Sequence, residues 1–494
     1  MFVQSLVSPL RPVGHSPRIA CSPPPLWQGR LLADCVQFGN AMGSGPQIVI
    51  PRQARVFASS AIHSITELAL RHGAVNLGQG TPDDEHPQRL RDELAASAQA
   101  DRSRYTAIQG MPALRQALAD NFNRELNPAL PYQPDDIMVT QGATEAFFIA
   151  INSTVGPDDE VVTTDPYYGL YTGSLQMAFG GDDKIERQLK PFPLKLEPLT
   201  EGDYAGQPHF VFDMDAFANT LTEKTKAVVL FNPHNPTGAV LNASQLKRMG
   251  QILDDWELDH PGQHIMVIAD ETYRHILFDG RPHVSVAAEP SLQKRLIYIN
   301  TLAKTFNTTG YRIGSLALPP TPPGAGRDVQ DAKAEWMRNL KGLKNVTSMC
   351  SPEPIQAMAV VALNQMATPD YYQSLHERYG ARRRKMLDHL SRSPFAGHYA
   401  VPDGGYFVMV DIGPTLDRLR PEVKTQYQIN DADSFVRNFL IPQIKVAAIP
   451  GNGLFRDQQQ GGRYIRLSFC QNDDTIEAAF RNLEALSTYL TPAA

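Results

Sequence analysis

The feature that most restricts the fold is a series of short apolar segments, each ending in a polar cluster. Residues 137–140, 160–164, 227–231, 264–269 and 296–300 are rich in Val, Ile, Leu and Thr and too short for helices. Stretches with helical spacing lie among them, as at 112–123, where Leu114, Leu118 and Phe122 share a stripe, and at 146–151. Buried strands alternating with helices imply a mainly parallel sheet covered on both faces. The polar clusters fall just past the strands' carboxyl ends, where such sheets bind ligands.

After about residue 365 the pattern changes. A helix over 371–390 carries Arg382-Arg383-Arg384-Lys385, which reads as a solvated face, and strands follow at 406–410, 446–450 and 464–468. Near the start, 57–70 has helical spacing and 74–80 reads as a short strand running into a glycine turn. The expected division is an arm at 51–90 that joins the smaller domain, a large domain at 91–365, and a small α+β domain at 366–494. Residues 319–326 form a proline-glycine loop, and no internal repeat is present.

Residues 1–50 are set apart from the fold. Their only acidic residue is Asp34, against Arg11, Arg18 and Arg30, and prolines recur, including Pro23-Pro24-Pro25. They read as an organellar transit peptide or as sequence upstream of a true start near Met42. The expected location is cytoplasmic, or plastid or mitochondrial if the segment is a transit peptide. A net charge of −6 gives no basic excess for nucleic acid or an anionic membrane. No apolar run approaches the roughly 18 residues of a spanning helix. The four cysteines, Cys21, Cys35, Cys350 and Cys470, form no CxxC pair and sit near no histidine at metal-ligand spacing. Neither a disulfide framework nor a metal site is expected.

Three clusters carry chemistry. Lys304 follows a buried strand inside a hydroxyl-rich loop, with Thr301 three residues before it, Arg312 eight after it, and Gly310 and Gly314 beyond. A lysine amine attacks carbonyls once its pKa is lowered, and a hydroxyl with a guanidinium suits a phosphate. Asn232-Pro-His-Asn235-Pro-Thr-Gly238 is by itself a turn. Asp270 ends a buried strand and needs a partner, either a helix N-terminus or a cation.

Taken in order, the signatures resemble class I aminotransferases of the pyridoxal-phosphate (PLP) fold type I superfamily. The likeness covers roughly residues 55–490 and is nearest the kynurenine and glutamine transaminases and some bacterial aspartate aminotransferases. It rests on Asn76-Leu-Gly-Gln-Gly80, Tyr105-Thr-Ala-Ile-Gln-Gly110, Gly142-Ala-Thr144, Pro166-Tyr-Tyr168, Asn235-Pro-Thr-Gly238, Asp270-Glu-Thr-Tyr273, the Lys304 loop and Tyr464-Ile-Arg466-Leu-Ser468. The resemblance implies a seven-stranded large-domain sheet and transfer of an amino group from an L-amino acid to a 2-oxo acid. It implies that Lys304 forms the internal aldimine with PLP and shuttles the proton, with pyridoxamine phosphate between the half-reactions. Asp270 pairs with the pyridinium nitrogen, and Asn235 and Tyr273 donate to the ring's phenolic oxygen. Tyr168 stacks on the ring. Ala143 and Thr144 amides, Thr301 and Arg312 hold the phosphate, joined by Tyr105 from a second copy in a homodimer. Arg466 grips the substrate α-carboxylate, with Asn235 and the Gly80 amide beside it.

Two departures stand out. Thr301 replaces the family's usual serine. The stretch 317–350, with Trp336 and Lys341, is longer than common and is expected to reshape the substrate mouth. No second arginine motif serves a side-chain carboxylate, so aromatic, sulfur-containing or glutamine-like donors are the family expectation. Members of the same fold also carry out β-elimination from cysteine conjugates or amino-acid cyclisation, and these stay open as alternatives. A regulator that keeps only the fold calls for a helix-turn-helix module, and residues 1–50 are too short and proline-rich to supply one.

Overall fold

The computed structural model describes residues 61–181 and 184–492. The expectations for residues 1–50, for the helix before residue 61, and for Cys21 and Cys35 lie outside the described residues. Thirteen strands are described: β1 (Val75–Asn76), β2 (Ile137–Thr140), β3 (Glu160–Asp165), β4 (Leu189–Pro198), β5 (Pro208–Phe212), β6 (Thr225–Phe231), β7 (Met266–Asp270), β8 (Leu296–Thr301), β9 (Gly314–Ala317), β10 (Phe407–Asp411), β11 (Val446–Ala447), β12 (Ile449–Pro450) and β13 (Tyr464–Ser468).

Eight of them form one sheet in the order β2-β9-β8-β7-β6-β3-β4-β5. The run β4-β3-β6-β7-β8 is parallel, and β9 is antiparallel to both β8 and β2. Every residue of β2 and β8 is buried, as a sheet covered on both faces requires. The sheet has one strand more than the seven expected. β4 pairs with β3 over its first half, Leu189 to Pro193, and with β5 over its second, Leu194 to Pro198. Each half leaves one edge free, so the strand tolerates Pro191, Pro193 and Pro198, which hid it in the sequence.

β10, β13 and β12 make a separate antiparallel sheet, with Arg466 of β13 opposite Met409 and Ile449. β1 pairs in parallel with β11, Val75 against Val446, so the chain entering Gly78-Gly80 is anchored to the C-terminal part.

One reading of the sequence is corrected. Arg382 and Arg383 are not a solvated face; both are buried, and only Arg384 of the trio is exposed. Arg382 forks onto Asp84 at 2.8 and 2.6 Å and also donates to Cys470 O. Arg383 bonds Asp279 at 2.8 Å between the rings of Tyr204 and Phe278. Their charges are balanced by carboxylates far away in sequence, while among the described residues Arg383 Nε and Nη2 have no hydrogen-bond partner between the two rings.

The long stretch 317–350 is mostly one helix, Arg327–Thr347. Met337 and Leu340 pack it into the core that surrounds the helix Ala143–Thr154, and Trp336 lies against the same core. Lys344 is fully buried and bonds Glu145 at 2.9 Å. Burial alone would raise the Glu145 carboxyl, but Lys344, Ser348 and the Gln141 amide together hold it below its usual range.

Candidate functional site

The carboxyl ends of β3, β6, β7 and β8 and the start of the helix after β2 converge on one region, closed from the other side by β13 and the Gly78–Gly80 segment. Two cations meet that segment. Lys304 Nζ donates to Gly80 O at 2.8 Å, and Arg466 Nη2 donates to Gly78 O at 2.9 Å. A side chain at Gly80 would place its Cβ 2.7 Å from Phe407 Cζ, so only glycine lets the chain lie this close. Beside the lysine is a cleft of about 210 Å³ bounded by Glu85, Asn307, Tyr371, Arg378 and Tyr379.

Burial pushes the half-buried Lys304 amine down to about 8, and the Arg312 and Arg466 charges act in the same direction. Arg466 is 1% exposed and lies over the Phe407 ring, its carbon 4.0 Å from the ring centre. Its remaining bond goes to Asn235 Oδ1 at 3.0 Å, and Nε has no partner. Among the described residues no carboxylate pairs with it. A buried guanidinium held only by neutral acceptors is unfavourable until an anion joins it.

Asp270 is the complementary case. Its Oδ2 accepts from Tyr171 OH at 2.7 Å, and Oδ1 accepts from the Thr272 amide at 3.0 Å and from the Thr272 hydroxyl. Burial raises the carboxyl, while these donors and the Lys304 charge pull it back. A cation placed against it would restore the carboxylate.

The helix Ala143–Thr154 begins after Gly142, whose φ is 83° and which gives no side-chain cap. A Cβ there would sit 2.6 Å from Arg312 Nη2, so the guanidinium lies directly on the helix start. Free amides of Ala143 and Thr144, a helix N-terminus and an arginine together favour a polyanion such as phosphate.

The profile of the aminotransferase class I and II family matches residues 72–483. This chain belongs to that family. The aminotransferase is 30% identical over 444 residues to a probable N-succinyldiaminopimelate aminotransferase of Mycobacterium tuberculosis, covering 88% of this chain and 97% of the relative. It is 28% identical over 446 residues to a kynurenine–oxoglutarate transaminase of Dictyostelium discoideum, covering 87% and 95%. Among solved structures, N-succinyldiaminopimelate aminotransferase from M. tuberculosis superposes with a TM-score of 0.72 at 28% identity, covering 89% of this chain and all of that one. A methionine aminotransferase from Escherichia coli gives 0.70 at 27%, also covering 89% and all of that chain. The protein is therefore an enzyme of transamination, acting on an amino acid and a 2-oxo acid, and its fold is that of the fold type I aminotransferases.

In this aminotransferase the residues singled out from the sequence occupy different parts of the site. Lys304, Gly80, Asn235 and Arg466 are linked by the contacts above. Tyr273 is buried with its ring edge-on to Tyr406 at 5.0 Å. Tyr168 follows β3, edge-on to Tyr171 and Phe231, and burial raises its phenol to about 12. Thr301 is buried, and its hydroxyl donates to Ile313 O at 2.6 Å, so its proton is already committed within the loop. Gly80 presents its carbonyl to Lys304. Tyr105 is 82% exposed and joins none of these contacts.

Three residues were not found from the sequence. Tyr171 holds Asp270 while stacking on Phe147, centroids 3.8 Å apart. Tyr406 donates to Gly80 O at 2.8 Å beside Lys304. Phe407 supports Arg466. Phe407 opens the apolar strand β10 and Tyr406 immediately precedes it, so both read simply as core. Tyr171 gave no local signal at all.

Proposed function

We propose that transamination here runs on PLP held at Lys304. The observation that carries this is the convergence of Lys304 and an Arg466 without a counterion on the Gly78–Gly80 carbonyls. The surrounding groups fit the cofactor: an uncapped helix start with Arg312 for a phosphate, and a buried carboxyl, Asp270, for a protonated ring nitrogen. Asn235 turns its oxygen to Arg466, which leaves its NH2 as the end able to donate to a ring oxygen. When bound, PLP supplies an electron sink for the substrate Cα and carries the amino group between the two half-reactions.

The chain's own residues do the rest. Arg466 binds and orients the α-carboxylate of each substrate in turn. Lys304, lowered to about 8, takes the Cα proton as base and returns it as acid near neutral pH. The rings of Tyr168, Tyr273, Tyr406 and Phe407 exclude water around the reacting carbon. These aromatic walls favour aromatic or sulfur-containing donors, in line with the kynurenine and methionine named for the relatives. On the same reading Tyr105, exposed on this chain, serves the phosphate of a second copy.

The test is a half-reaction. Single L-amino acids, kynurenine and methionine included, are added to PLP-loaded enzyme without an oxo acid. The cofactor spectrum should shift to that of pyridoxamine phosphate and return on adding 2-oxoglutarate. Release of ammonia with pyruvate, or of a cyclised product, would instead mean elimination or cyclisation. Failure to bind PLP would overturn the proposal.

Tyr171→Phe tests the Asp270 assignment. The ring still stacks on Phe147, so the fold should hold, but Asp270 loses one donor and becomes harder to ionise. The expected result is a fall of about tenfold in kcat with little change in melting temperature, the size of one charge-assisted hydrogen bond. An unchanged kcat would remove Tyr171 from the site.

A further inference from the structure

His234 lies in the Asn232–Gly238 turn and is 1% exposed. Its ring meets a hydroxyl at each nitrogen: Nε2 and Thr164 Oγ1 are 2.7 Å apart, as are Nδ1 and Thr237 Oγ1. Counting protons fixes the direction of both bonds. Thr164 Oγ1 also lies 2.8 Å from Pro166 O, a carbonyl that can only accept. The hydroxyl has one proton and gives it to that carbonyl, so toward His234 it must accept. Nε2 therefore carries the ring proton. Nδ1 is then the acceptor and Thr237 Oγ1 the donor, while Thr237 Oγ1 accepts from the Ala239 amide at 3.2 Å. Burial keeps the ring neutral, down to about 3.

The two hydroxyls belong to different walls of the site. Thr164 is the penultimate residue of β3, four residues before Tyr168, and its bond to Pro166 O fixes the chain between them. Thr237 lies in the turn that carries Asn235. That turn is closed on itself by His234 N to Ala239 O and Gly238 N to His234 O, both 2.8 Å. The imidazole joins these two pieces, and with both ring nitrogens engaged no acid–base role is left for it.

We infer that His234 is a positioning residue that, as its Nε2–H tautomer, sets the spacing between the Tyr168 loop and the Asn235 turn. The geometry stands on its own. The consequence for cofactor binding rests on the PLP reading above.

Two substitutions separate the ends of the strut. Asn places a carbonyl near the Nδ1 position and can serve Thr237 but does not reach Thr164. Gln places an amide near the Nε2 position and can serve Thr164 but not Thr237. His234→Asn and Thr164→Val should each raise the PLP dissociation constant and both KM values about tenfold, with kcat changed less than about threefold. Their double variant should be no worse than either alone, since both remove one link. His234→Gln should stay within about threefold of wild type, and Thr164→Ser, which keeps the hydroxyl, should match it. In ¹⁵N-histidine-labelled protein, the resonances lost in His234→Asn should report an Nε2–H ring unchanged between about pH 5 and 9.

An Nδ1–H or titrating ring would overturn the inference. So would additive effects of His234→Asn and Thr164→Val, or single variants that lower the melting temperature and leave PLP affinity and KM untouched. If the wild-type protein bound no PLP, the cofactor reading would fall, and the tautomer together with the melting-temperature coupling of the two variants would still decide the strut.

Discussion

Lys304→Ala is expected to abolish transamination while leaving the protein folded. The substitution removes the amine proposed as base and acid at Cα, and general acid–base catalysis alone contributes up to about ten-thousand-fold. Little else is lost. The side chain is half-buried, and among the described residues its only hydrogen bond is to Gly80 O, which keeps Tyr406 as a donor. Steady-state turnover with the best donor from the half-reaction screen, together with circular dichroism, checks both halves. Activity within about tenfold of wild type would dismiss Lys304 from the chemistry. The lowered pKa adds a pH dependence with a definite sign. The neutral amine is the reactive form, so the rate at which cofactor-free enzyme captures PLP should rise with pH through about 8 and level off above it. A rate still climbing steeply at pH 10 would mean an ordinary exposed lysine.

The second large effect is expected for Arg466→Lys. The charge survives, but the planar fork does not, and a single nitrogen cannot reproduce the spread of Nη1 and Nη2 that reaches Asn235 Oδ1 and Gly78 O while facing a carboxylate. Truncating a buried charged hydrogen-bond partner costs about 2–5 kcal/mol, so the KM values should rise by roughly thirtyfold to a few thousandfold. Donor and acceptor both bear an α-carboxylate, so their KM values must rise together. A rise for only one of them would show that Arg466 reads a side chain instead.

Much of this site is legible in the sequence because its parts are local. Asp270 and Thr301 end buried strands, and the Asn235 turn and Lys304 follow within a few residues of theirs, so each is announced by the run before it. What escaped detection depends on contacts between distant segments. Tyr171 acts on a carboxylate 99 residues away. Arg382 and Arg383 looked like a charged surface because their partners, Asp84 and Asp279, are 298 and 104 residues off. At Gly80 the chain passes too close to Phe407 for a side chain, and no local pattern announces that its carbonyl accepts from Lys304, 224 residues away. β5 was missed because prolines in β4 mask a hairpin that tolerates them only through split pairing.

The shared acceptor at Gly80 bears on how readily the lysine can leave its resting place. A buried carbonyl with a single donor resists losing it, because an unmet acceptor costs about 1–3 kcal/mol. Here Tyr406 also donates to Gly80 O, so departure of the amine would leave the carbonyl with a donor. The resting contact is thus a parking place and not a latch: it aims the amine at low cost to its release, on the same Gly78–Gly80 segment whose other carbonyl steadies Arg466.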